Sequence, residues 1–147
     1  VSIRRRSRRD AGFTLLELLV VLIVLALLAG LVAPRVMGYL AGARRDTAEL
    51  QIRRLATVLE YYRLDTGRYP TEQEGLRALV ERPAGVDRWN GPYIEGGLPE
   101  DPWGHPYVYR APADGAPFEI LSLGADGAPG GEGEDADISS LHLNDAG

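Results

Sequence analysis

Gly12-Phe13-Thr14-Leu15-Leu16-Glu17, with the apolar run of residues 18–33 directly behind it, decides the fold. Arg4, Arg5, Arg6, Arg8 and Arg9 lie just upstream, and between Phe13 and Ala33 only Glu17 carries a charge. A run of about 20 apolar residues is long enough to cross a bilayer as one helix. The positive-inside rule then keeps the arginines on the cytoplasmic side. A carboxylate within such a helix costs about 2.5–3.5 kcal/mol on insertion scales. Two readings of Glu17 stand. It can find a cationic partner inside the apolar layer, or, lying about one turn from the end of the run, it can reach back to the headgroups.

A secretory signal peptide shares the basic start and apolar core but is cut after that core, at an A-x-A-like site. Leu31-Val32-Ala33 before Pro34 matches such a site poorly, and the run exceeds a usual signal core. The helix is therefore read as retained. Pro34 lacks an N–H and crowds the preceding turn, so an interruption or kink is expected after Ala33. Gly30, Pro34, Gly38 and Gly42 fall at four-residue spacing, a stripe that permits close backbone approach.

Helical periodicity resumes over residues 43–66. Ala48, Ile52, Leu55, Leu59 and Tyr62 recur every three or four residues and define one apolar face, with Gly67 placed to stop the helix. An unbroken helix over residues 13–66 would be roughly 80 Å long. Its second half is amphipathic and needs a domain against it. Downstream, Thr71-Glu72-Gln73-Glu74 reads as a capping box opening a short helix over residues 72–80, with Leu76, Leu79 and Val80 toward the core. Residues 107–110 and 118–123 read as two strands joined by a loop containing Asp114-Gly115.

Charge separates along the 147 residues. Residues 1–12 hold five Arg and one Asp, a net +4; the remainder holds 11 Arg and 20 acids, a net −9. So acidic a body is a poor match for nucleic acid. There is no cysteine, hence no disulfide and no thiol chemistry. The two histidines, His105 and His142, have no evident catalytic partners in sequence and read as surface or packing residues, so no enzyme is expected. Trp89 and Trp103 read as packing plugs.

The basic leader, Gly12 and Phe13-Thr14-Leu15-Leu16-Glu17 resemble the amino terminus of type IV pilins and pseudopilins. The resemblance implies that a prepilin peptidase cuts between Gly12 and Phe13, that Phe13 is N-methylated, and that its new amine pairs with Glu17 of a neighbouring subunit. Later motifs narrow the likeness. Tyr69-Pro70-Thr71, Gly75-Leu76, Gly91-Pro92-Tyr93, Leu98-Pro99, Asp101-Pro102-Trp103-Gly104 and Ser122-Leu123-Gly124-Ala125-Asp126-Gly127 occur in an order that resembles the major pseudopilins of type II secretion. The implied fold is α+β and type IV pilin-like, with a long N-terminal helix, a short antiparallel sheet and a calcium-type loop. Residues 1–12 form the leader, 13–34 the transmembrane and filament-core helix, 35–67 its amphipathic continuation, and 68–147 the periplasmic domain. The implied function is to polymerise into a short periplasmic filament that drives export of folded proteins, with Phe13, Glu17 and Pro34 serving assembly. Implied partners are further copies of the chain, minor pseudopilins, the inner-membrane assembly platform and the peptidase.

Asp126, Glu132, Glu134, Asp135 and Asp137 lie among five glycines near the end of the chain. Composition leaves this stretch open between a solvated acidic tail and a site for Ca²⁺, which takes 6–8 oxygen ligands. The resemblance implies a structural calcium, held by Asp126 and Asp135, the Leu123 carbonyl and Asp137. Ile138-Ser139-Ser140-Leu141 departs from the family, which often carries a Trp there. Two other readings remain: a type IV pilin or competence-type pseudopilin, and a membrane-tethered calcium-binding domain that never polymerises. Pilins often close their C-terminal region with a disulfide, so the missing cysteines count against the first.

Overall fold

A computed structural model describes residues 12–113 and 115–143. It divides into two compact units, Val1–Tyr39 and Leu40–Gly147. Helix α1 (Leu15–Thr66) supplies all the regular structure described in the first and begins the second. In the first unit every large apolar side chain from Phe13 to Val36 is exposed. This part of α1 is long and apolar enough to cross a membrane.

Pro34 sits inside α1 without ending it, so the expected interruption is absent from the isolated chain. The physical reason is local. Proline deletes one N–H and crowds the carbonyl four residues earlier. The one bond lost to Gly30 leaves the turns on either side intact, and α1 runs on to Thr66.

In the second unit the helical face read from sequence is the core face. Ala48, Ile52, Leu59 and Tyr62 are fully buried and Leu55 nearly so. Each large aliphatic side chain so covered contributes about 1.5–3 kcal/mol relative to leaving it in water. Leu76, Leu79, Tyr107, Tyr109, Ile120 and Ile138 close over this face. Gly67 ends α1 at φ 84°, and its N–H donates to the Arg63 carbonyl at 2.7 Å. That single bond is the left-handed stop a glycine provides without steric cost.

The capping box forms. Thr71 N–H donates to Glu74 Oε2 at 2.8 Å, and Glu74 N–H donates to Thr71 Oγ1 at 3.2 Å. The α-helix expected after it does not form; a turn leads into a 3₁₀ helix at Leu76–Leu79. Gly75 explains the difference, since its φ of 57° cannot be part of a right-handed helix. Leu76 and Leu79 are buried as expected, Val80 is half-buried, and Ala78 joins the core.

Strands β1 (Val108–Arg110), β2 (Glu119–Ser122) and β3 (Ile138–Ser139) form an antiparallel sheet in the order β1-β2-β3. Tyr109 faces Ile120 across the first pair and Leu121 faces Ser139 across the second. The first two strands match the sequence reading. The third, with the short helix α2 (Ser140–Leu143), was not anticipated. Glu119 holds the three strands together: its Oε1 accepts from Ser139 Oγ, and its Oε2 lies 3.5 Å from Arg110.

Arg68 grips Glu74 with both guanidinium ends at 2.7 Å, and this pair holds the carboxyl down to about 2. The folded value lies below the unfolded one, so the stabilisation is complete above about pH 4.5 and drains as pH falls toward 2. Discounted for solvent screening, Glu74→Gln should cost about 1–2 kcal/mol at pH 7. It should also flatten the acid limb between those pH values, as read by urea unfolding of the detergent-solubilised chain.

Candidate functional site

Two places carry the residues singled out from sequence, one in each unit. In the first, Gly12 and Phe13 precede α1 and are both exposed, so the bond between them is accessible. Thr14 and Glu17 form a second capping box. Thr14 N–H donates to Glu17 Oε2 at 3.4 Å, and Glu17 N–H donates to Thr14 Oγ1 at 3.1 Å. Thr14-Leu15-Leu16-Glu17 has the same Thr-x-x-Glu spacing as residues 71–74, and that was the signal available in sequence. The carboxylate of Glu17 thus turns back toward the start of the helix, one residue from Phe13. Anionic charge is also favoured there by the helix dipole.

The second place is the acidic loop after β2. Asp126 Oδ1 accepts from Ala128 N–H at 3.0 Å. Asp137 Oδ2 accepts from Gly130 N–H at 3.0 Å, while its other oxygen, Oδ1, is buried without a hydrogen-bond partner among the described residues. Asp135 ends a 3₁₀ turn, Gly133–Asp135, and is exposed. Two glycines make this fold possible. A Cβ on Gly124 would meet the Asp135 backbone at 2.6 Å, and one on Gly131 would meet the same carbonyl oxygen at 2.5 Å. Both have positive φ.

Among the described residues no three His, Cys, Asp or Glu side chains converge closely enough to hold a metal ion unaided. A cation held here would need backbone carbonyls, which calcium accepts readily. The loop is rich in them, and the orphaned Asp137 Oδ1 is the kind of buried oxygen that a cation satisfies.

The residue that fixes this loop to the domain was missed in sequence. Asp101 is 4% exposed. Its Oδ1 accepts from Trp103 N–H at 3.1 Å and from His105 N–H at 2.8 Å, and its Oδ2 accepts from Ser122 Oγ at 2.6 Å. His105 then reaches the loop, its Nδ1 lying 3.1 Å from the Gly124 carbonyl. A carbonyl only accepts, so Nδ1 is the protonated nitrogen. His105 thereby ties the Asp101 turn to the loop after β2. The clue to Asp101 was Asp-Pro-Trp-Gly itself, since aspartate commonly bonds backbone amides two residues on.

Three comparisons bear on these places. A family model described as "Type II secretion system (T2SS), protein G" matches residues 35–141, and one described as "Prokaryotic N-terminal methylation motif" matches residues 7–33. The chain is 45% identical over 138 residues to the Type II secretion system core protein G of Pseudomonas aeruginosa, covering 92% of this chain and 97% of that protein. It is 41% identical over 145 residues to the protein of the same name from Vibrio cholerae, covering 96% and 98%. Its fold resembles the crystal structure of the major pseudopilin from the type 2 secretion system of enterohaemorrhagic Escherichia coli. That likeness has a TM-score of 0.61 at 38% identity and covers 72% of this chain and 93% of the other.

Truncating Asp101 leaves two part-buried N–H groups and one buried hydroxyl without acceptors. Asp101→Ala should therefore lower unfolding stability by about 3 kcal/mol. Amide exchange should rise first at Trp103 and His105, which lose their acceptor directly, and then at Gly124, whose N–H is held through Ser122 Oγ.

Proposed function

The chain belongs to the type II secretion system protein G family, the family of the major pseudopilin, and from that premise we propose how it assembles. The family is one of structural subunits rather than known enzymes. One observation carries the reading. An exposed apolar helix and a packed amphipathic continuation occur in a single α1, behind a matched methylation motif. Apolar surface on that scale needs lipid or other helices around it.

The prepilin peptidase removes residues 1–12 by cutting between Gly12 and Phe13, and Phe13 is N-methylated. The chain is then held in the inner membrane by residues 13–34, with its second unit in the periplasm. A cationic amine now stands at Phe13, beside the turned-back carboxylate of Glu17. When a subunit enters the growing filament, that amine and the Glu17 carboxylate of a neighbour neutralise one another. Removing either partner leaves a buried charge uncompensated. Pro34 and the glycines around it give the helix a place to loosen as copies pack. Minor pseudopilins and the inner-membrane platform start and feed the polymer, whose extension drives folded proteins across the outer membrane.

Glu17→Ala tests the pairing. Processing at Gly12 should remain near normal while filament yield, scored by electron microscopy of sheared cells, falls at least about tenfold. Normal filaments would remove the charge pair from the mechanism.

We also propose that the acidic loop holds a structural calcium. Asp126, Asp135 and Asp137 with the Leu123 carbonyl are the groups that would hold it, and its charge would turn their mutual repulsion into attraction. The buried, unpartnered Asp137 Oδ1 supports this. At a hundredfold excess over Kd such a ligand stabilises by about 2.7 kcal/mol. The chain should melt higher in Ca²⁺ than in chelator, and Mg²⁺ should substitute poorly because it demands a smaller octahedral shell. Asp126→Ala should erase most of the difference. An unchanged melting temperature on chelation would leave the loop a solvated acidic segment.

A further inference from the structure

Most arginines of the second unit face a carboxylate of their own chain, as Arg45 faces Glu49 and Arg77 faces Glu81. Three face none among the described residues: Arg88, Arg53, which donates instead to the Leu143 carbonyl, and Arg54. Arg54 is exposed, and it borders a groove of about 280 Å³ lined by Leu55 and Val58 of α1 and by Tyr93, Ile94 and Pro99. Leu50 and Leu98, adjacent in sequence to the lining residues Gln51 and Pro99, are also exposed, at 51% and 39%. The groove is thus an apolar recess with one uncompensated cation at its rim.

Elsewhere on the same unit is a surface of the opposite kind. Ala128-Pro129-Gly130-Gly131-Glu132 is exposed throughout. Glu132 meets no cation among the described residues; Arg44, 3.7 Å from Glu134, is the cation that approaches this loop. The tongue therefore offers a small apolar tip followed by a carboxylate.

The two surfaces do not meet within one chain. The base of the tongue lies against α1 at Ala41, Gly42 and Arg45, whereas Arg54 is about ten residues further along, or roughly 15 Å of helix. A contact between them must join two copies, offset along α1. Two different patches of one molecule that fit each other make a head-to-tail contact, which propagates an open filament wherever its rotation does not close a ring.

We propose that the Arg54 groove receives the Ala128–Glu132 tongue of a second copy, with Glu132 paired to Arg54. This rests on the polymer reading above and names the periplasmic surface that would set its register. Both patches lie outside the apolar helix, so the contact adds to the Phe13–Glu17 pairing and does not replace it.

Charge exchange in the full chain, expressed with its secretion system, tests the contact. Arg54→Glu and Glu132→Arg should each lower filament yield about fivefold, and the double variant should restore it to within about twofold of wild type. Equal melting temperatures of the detergent-solubilised monomers would exclude misfolding as the cause. Because the chain has no cysteine, Arg54→Cys with Glu132→Cys gives a clean second readout. Oxidised filaments should yield a ladder of covalent oligomers, and neither single variant should. Filaments at wild-type yield from Arg54→Glu, or no ladder from the cysteine pair, would overturn this contact while leaving the polymer reading intact. Absence of filaments from the wild type would overturn both.

Discussion

The structure depends on one helix having to satisfy two solvents. The first part of α1 presents apolar side chains on all sides and is stable only in lipid or among other apolar helices. The later part presents an apolar stripe of Ala48, Ile52, Leu55, Leu59 and Tyr62, which the remaining residues of the second unit cover. With a three-stranded sheet of short strands, that covering is the greater part of the core. Changes to the stripe therefore act on the whole second unit and not on the helix alone.

Long loops replace regular structure over much of that unit, and specific polar contacts hold them. Trp89 Nε1 donates to the Ala78 carbonyl at 2.8 Å, and Tyr93 hydroxyl donates to Asp65 at 2.8 Å. Tyr109 hydroxyl donates to the Pro70 carbonyl. Asp101 and Glu119 do the same work from buried carboxylates. Each bond is worth about 1 kcal/mol net, but leaving its buried partner unsatisfied costs more, so these loops have few alternative conformations. This is how a chain without disulfides keeps an irregular domain in one arrangement.

The helical stripe, the Gly67 stop, the Thr71–Glu74 box and the first two strands were legible because each depends on residues close in sequence. The α-helix expected over residues 72–80 failed at Gly75, whose positive φ is set by the chain's need to turn and not by propensity. Strand β3 has only two residues and exists because β2 offers it an edge, so no local pattern announces it. Asp101 looked like part of a loop because its partners lie up to 21 residues away. Of the residues named for assembly and calcium, Glu17 and Asp137 gained a physical context: one is turned back by Thr14, the other has a buried oxygen without a partner. Asp126 and Asp135 remain exposed, as glycine-rich acidic composition allows.

The central claim is that the Gly12–Phe13 bond separates a discarded leader from a retained, membrane-held subunit whose first residue is a charged amine. Intact-mass and peptide mass spectrometry of the chain recovered from membranes of cells carrying the secretion system reads that directly. The account predicts a mature chain that begins at N-methylated Phe13. A chain beginning near Pro34, or one still carrying Arg4, Arg5, Arg6, Arg8 and Arg9, would contradict it.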